Sequence, residues 1–198
     1  MSTLTDQISS TRRQFLTTGS RLTLSAAALG LLAGESSIVR AADMSTDSAS
    51  HDVGILNVAL GLEHEAINAY QLGASSGLLQ KPVLDVAVRF QSDHKAHRDA
   101  LIATIQKLGG TPVNEKPLPE YARALQADTL KSQGDVLTLA ARLELGAINA
   151  YLGVIPAFKD TGLSKVAGRL AADETLHWTL LNNALGRALP AGALSFGA

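Results

Sequence analysis

Ala66-Ile67-Asn68-Ala69-Tyr70 returns in this chain as Ala147-Ile148-Asn149-Ala150-Tyr151, 81 positions later. Each copy follows a Leu-Glu pair, Leu62-Glu63 in the first and Leu143-Glu144 in the second. Further along, Asp93, His97 and Leu101 return as Asp173, His177 and Leu181 at an offset of 80. Stretches that repeat in the same order at nearly one offset describe a unit present twice. Apolar positions around them recur every three or four residues, the period of a helix face, so the unit is a pair of helices.

Asp52 reads as the cap of the first helix, whose stripe runs Leu56, Leu60, Glu63, Ile67, Tyr70, Ala74 in alternating steps of four and three. Lys81-Pro82 opens the second, with Val83, Ala87, Phe90, His94, His97, Leu101, Ile105 and Leu108 on its stripe before Gly109-Gly110 stops it. A long irregular connection from Thr111 to Gly134 holds one short helical patch between Tyr121 and Leu130. Asp135 reads as the cap of the third helix, with Leu137, Ala141, Glu144, Ile148, Tyr151 and Ile155 facing in and Pro156 ending it. The fourth carries Leu163, Ala167, Leu170, Glu174, His177, Leu181 and Leu185 and stops at Gly186. Short, long and short connections predict an all-α four-helix bundle over residues 52–186 with one crossover, between the second and third helices.

The chain has 198 residues, enough for one well-buried domain, with 46% hydrophobic and only 4% aromatic side chains, a balance that suits close-packed helices. Thr11-Arg12-Arg13-Gln14-Phe15-Leu16, the apolar run from Leu22 to Gly34 and the small residues at Ala41-Ala42 read as a twin-arginine export signal over residues 1–41. That run is shorter than the roughly 20 residues that span a bilayer. The predicted location is therefore periplasmic or otherwise exported, with the twin-arginine machinery as a partner and no stable span after cleavage. Residues 42–51 read as a flexible linker and 187–198 as a tail. Loss of residues 1–41 leaves 13 basic and 16 acidic side chains, a net charge of −3 without any basic run, which argues against nucleic acid as a partner. The absence of cysteine excludes thiolate catalysis, iron–sulfur clusters and disulfides, so a metal must be held by nitrogen and oxygen.

Every stripe is interrupted at mid-helix by a group able to bind a metal: Glu63, then His94 and His97, then Glu144, then Glu174 and His177. An unpaired carboxylate in a bundle core costs several kcal/mol, so such interruptions need a reason. The pairs His94/His97 and Glu174/His177 are spaced i, i+3, which brings their Cβ atoms within about 5–6 Å on one face. They can share one ion or bridge two.

This layout resembles the ferritin-like di-metal carboxylate proteins, in which two helices each give one Glu and the other two each give a Glu-x-x-His motif. Within that superfamily the chain is most similar to bacterial exported ferritin-like domain proteins. Carried over by position, Glu63 and Glu144 match the single glutamates, Glu174 and His177 match the motif of the fourth helix, and His97 matches the histidine of the second. His94 stands where the family pattern has Glu. The resemblance implies a di-metal centre of Fe or Mn, with Zn as another occupant, held by Glu63, His94, His97, Glu144, Glu174 and His177. It implies redox chemistry on peroxide, oxygen or ferrous iron. The alternative is a non-enzymatic stress- or desiccation-related protein that holds one ion, a structural ion or none. Three Glu and three neutral His leave two divalent ions at net +1, which favours divalent Fe, Mn, Zn or Cu over ferric iron.

Blander readings stand beside these. Rotation of the helices would solvate Glu63 and Glu144, and His97 and His177 would be ordinary core histidines. His94 reads equally as a ligand, as a donor to a ligand or as the remnant of a lost site. Asp93 and Asp173 reach either a ligating histidine of a neighbouring helix or a surface cation. Tyr70 and Tyr151 bond a carboxylate, pass an electron or simply pack. Asn68 and Asn149 point off the stripe toward contacts between the halves, while His51, His64 and Glu65 read as solvated. Trp178 with Leu176 and Leu180 hints at a homodimer surface.

Overall fold

The computed structural model describes residues 44–193. The export-signal reading of residues 1–41 and the end of the predicted tail lie outside them. Among the described residues there are five α-helices: α1 (Met44–Ser75), α2 (Lys81–Lys107), α3 (Leu118–Ala124), α4 (Gln133–Val154) and α5 (Thr161–Ala184). The first and second stretches of the sequence are α1 and α2, the third and fourth are α4 and α5, and α3 lies in the crossover. Helices α1 and α2 pack as one antiparallel pair, α4 and α5 as the other, and α1 lies against α4. Among the described residues, no helix is long and apolar enough to cross a membrane.

The stops follow the glycines. Gly109 and Gly186 take φ values of 78° and 67°. In each case the next residue's N–H reaches five residues back, from Gly110 to Ile105 and from Arg187 to Asn182, closing both helices with the same left-handed cap. Pro156 falls in a short 3-10 turn, Ile155–Ala157, directly after α4.

Two predicted starts are corrected. Helix α1 runs back to Met44, so the described part of the predicted linker is helical and Asp52 lies inside the helix. Once a helix is anchored by packing, each further residue adds one hydrogen bond for one residue fixed, and a Ser/Asp-rich end suits the positive pole of the helix dipole. Asp52 is buried and accepts the backbone N–H groups of Lys159 (2.9 Å) and Asp160 (3.0 Å), which ties α1 to the turn before α5. At α4 the cap is Ser132, whose hydroxyl accepts the N–H of Asp135, while the Asp135 carboxylate accepts the N–H of Lys131. The two residues share the capping that the sequence assigns to Asp135 alone.

The predicted stripes line the interior. One apolar layer holds Leu56, Leu60, Leu101, Ile105, Tyr151, Leu163 and Leu170, and a second holds Tyr70, Ala87, Phe90, Leu137, Ala141 and Leu181. The crossover adds a third, with Tyr121 and Leu125 packed against Ala69 and Leu139. Leu176 and Leu180 are exposed on α5, while Trp178 packs against the Tyr70 layer.

Candidate metal centre

All six predicted residues converge where the four long helices meet. Glu63, His94, Glu144, Glu174 and His177 are buried, and the His97 side chain is 12% exposed. Rotation of Glu63 and Glu144 into solvent is therefore excluded. The atoms group as two overlapping sets, Glu63/His94/His97/Glu174 and His94/Glu144/Glu174/His177, each with one nitrogen or oxygen per residue and all within 4.8 Å of one another. Glu174 and His94 belong to both. Glu63 and His97 belong to one end, Glu144 and His177 to the other.

The two seam histidines are posed alike. Nδ1 of His97 lies 3.3 Å from Glu174 and 3.7 Å from Glu63, while its Nε2 faces Asp173 at 3.4 Å. Nδ1 of His177 lies 3.1 Å from Glu174 and 3.6 Å from Glu144, while its Nε2 faces Asp93 at 3.5 Å. Each ring thus turns Nδ1 to the carboxylates and Nε2 to an aspartate of the other helix pair. An aspartate in that place fixes ring orientation and raises the basicity of the inner nitrogen. Asp93 is itself paired with Arg89 at 3.1 Å.

The tyrosines cross over. Tyr70 of α1 donates its hydroxyl to Glu144 of α4, and Tyr151 of α4 donates to Glu63 of α1. The hydrogen bond to a carboxylate that the sequence allows for each tyrosine is present. His94 breaks the symmetry. Its Nδ1 lies 2.8 Å from Glu63 and its Nε2 3.3 Å from Glu144, so its ring joins the carboxylates of the two pairs.

The electrostatics follow from three carboxylates and three imidazoles in one buried space. Burial works to raise Glu63 and Glu144, but the imidazoles of His94 and His97 beside the first, and of His177 and His94 beside the second, hold both below the ordinary value. Burial of Glu174 prevails over its histidine partners and leaves it raised. Burial works to lower the histidines, yet their carboxylate contacts push His97 up to about 10 and His177 to about 9, and His94 well above 6.5. Both phenols are raised, first by burial and then by the glutamates beside them.

Among the described residues, four buried side-chain atoms have no hydrogen-bond partner, and three of them are His97 Nδ1, Glu144 Oε2 and Glu174 Oε1. Orphaned donors and acceptors in a core cost about 1–3 kcal/mol each. His97 Nδ1 and Glu174 Oε1 lie 3.3 Å apart, and such a pair fits an ion that takes nitrogen and oxygen ligands. The buried Glu and His groups can therefore hold metal.

The fourth such atom is His64 Nδ1, and His64 corrects the reading that it is solvated. Its Nε2 meets the Val113 carbonyl at 3.3 Å. Asn68 donates to Glu115 at 2.5 Å, and Asn57 bonds Thr111 and Val113 of the same segment. Asn68 thus holds the crossover instead of joining the halves. The spacing of Asn57, His64 and Asn68, by seven and four on one helix face, was the available signal. Glu65 is partly buried and raised by that burial, with Arg142 and Lys116 countering it. His51 is exposed, its Nε2 3.1 Å from the Ala157 carbonyl. Phe90, read only as core, stacks on His177 with ring centroids 4.0 Å apart.

No curated protein matches the chain. A solved structure of a conserved hypothetical protein from Mycobacterium tuberculosis is similar at a TM-score of 0.59 and 23% identity, covering 74% of this chain and 99% of that one. At that identity the likeness speaks to the fold alone. The ferritin-like domain family matches residues 51–187, which take in α2 to α5, most of α1 and all six converging residues. The chain belongs to the ferritin-like domain family.

Proposed function

We propose that the protein is an exported ferritin-like metalloprotein whose centre carries out redox chemistry on peroxide, oxygen or ferrous iron. The observation that carries this is the pair of overlapping ligand sets with orphaned inward atoms. At one end Glu63 and His97 would hold an ion, at the other Glu144 and His177, with Glu174 between them. A redox-active iron or manganese pair there supplies electron transfer to a small oxidant. The chain's own groups set the terms: Asp173 and Asp93 orient the histidines, Tyr151 and Tyr70 hold one oxygen of each outer glutamate, and the apolar layers on both sides exclude water. Export rests on the twin-arginine pattern at residues 11–16.

A second reading, a bundle stabilised without redox turnover, is favoured by one observation. The His94 ring already joins Glu63 to Glu144, in the place where a family glutamate would add a fourth negative charge. Elemental analysis of protein taken from its native export route, beside His94→Glu, separates the readings. Two equivalents of iron or manganese per chain support the redox centre. No metal in the native chain, together with a melting temperature that does not change when metal is added, supports the structural bundle and removes the redox one.

A further inference from the structure

Beyond Tyr70, on the side of the centre away from Tyr151, a cavity of about 200 Å³ lies among the four long helices. Its wall is almost wholly apolar: Ala87 and Phe90 from α2, Leu137 and Ala140 from α4, Leu181 from α5. The polar exceptions include the Tyr70 phenol and Glu144, the residue whose Oε2 is buried without a hydrogen-bond partner.

The two copies of the repeat differ at the wall of this cavity. Where one copy has Ile55 and Leu163, the twin positions hold Val136 and Val83, each one carbon smaller and both on the cavity wall. Phe90 is larger than its twin Leu170, but its ring is committed to the face of His177. The wall reaches the surface at Leu180, Asn183 and Ala184, which gives a small molecule a way in beside the ligand cluster.

We infer that this cavity is a binding pocket for one small neutral apolar molecule, about the size of a single aromatic ring with a short alkyl group, held against the Glu144 end of the metal centre. An apolar cavity of about 150 Å³ stays dry and takes benzene, so this one takes slightly more. A charged ligand would lose its hydration against alanine, valine and leucine walls, and an anion would also face Glu144. That the ligand meets metal at Glu144 rests on the metal-centre reading; the pocket itself does not.

Toluene titrated into the metal-free full-length chain, followed by NMR, tests the pocket. Saturable one-to-one binding is expected, with shifts at the Ala87 and Ala140 methyls and the Phe90 ring, and sodium benzoate is expected not to bind. Ala140→Phe fills the cavity from α4 and should weaken toluene at least tenfold while cobalt uptake persists; Ala87→Leu fills it from α2 and serves if the first variant does not fold. Absence of toluene binding, shifts confined to other parts of the molecule, or unchanged binding in the folded filled variants would overturn the pocket. In cobalt-loaded protein, toluene should alter the visible absorption, and an unaltered spectrum at saturation would overturn the contact with the Glu144 end. A chain that binds toluene but no cobalt loses the metal reading and keeps the pocket; one that binds cobalt but no toluene does the reverse.

Discussion

The helix pair α1/α2 and the pair α4/α5 are near copies on the inside and different molecules on the outside. Inside, each pair depends on the other: Tyr70 serves Glu144 and Tyr151 serves Glu63, Asp93 faces His177 and Asp173 faces His97. Such reciprocity holds a duplicated interior to its pattern, because a change in one half leaves a buried group of the other without a partner. Outside, α1 holds residues 111–115 by hydrogen bonds through Asn57, His64 and Asn68, whereas α4 meets the crossover through apolar Leu139. The twin positions on α4 are Thr138, Leu145 and Asn149, of which Thr138 accepts a bond from Arg187 instead. Two inner departures remain, His94 against Glu174 and the open end around Tyr70 against the closed end around Tyr151.

The comparison breaks most severely at its shared member. Glu174→Ala should abolish metal uptake at both positions, whereas Glu63→Ala or Glu144→Ala should remove one, read by elemental analysis after cobalt loading. In the metal-free chain Glu63→Ala also strips His94 and His97 of a carboxylate and should cost about 3–5 kcal/mol in urea unfolding. Equal loss of metal in all three variants would show a single ion and no division into ends.

A somewhat smaller effect comes from pH. Burial opposes the charge on His97 and His177, but their glutamates prevail and hold them at about 10 and about 9, against about 6.5 in the unfolded chain. Folding therefore gains from both charged rings fully below pH 6.5, and that gain is lost as pH rises through about 9 to 10. Urea melts of metal-free protein at pH 6, 8 and 10 should show falling stability, by up to about 1.4 kcal/mol per pH unit for each ring. Stability that is flat or rising over that range would contradict the charged arrangement.

The crossed phenols give a finer test of symmetry. Tyr151→Phe leaves Glu63 Oε1 without a donor, while Tyr70→Phe leaves Glu144 Oε1 with His94 Nε2 alone, and each should cost about 1–3 kcal/mol. Thermal melts should place Tyr151→Phe at the higher end, since its surroundings are closed while those of Tyr70 border the cavity. The smallest effect belongs to the outer face: Asn68→Ala should cost about 1 kcal/mol and speed hydrogen exchange in residues 111–116, with metal uptake untouched. Slower uptake in that variant would tie the crossover to the centre.

The repeat in the sequence determined the bundle, the identity of the inner stripes and the six converging residues, because helical periodicity and the price of a buried charge are local and legible. Residues that sit alike in two copies must face one another once the copies pack. The glycine stops were readable for the same reason, since a left-handed cap is a property of a few adjacent residues. The ends of α1 and α4 were less so: Asp52 resembles a cap but is spent on the turn before α5, a contact more than a hundred residues away. Only the tertiary structure decided that His94 joins Glu63 to Glu144, that His64 and Asn68 hold the crossover, and that a cavity opens beside Tyr70 at one end of the core. Each of these depends on distances between elements far apart in the chain, and spacing within one helix carries no information about them.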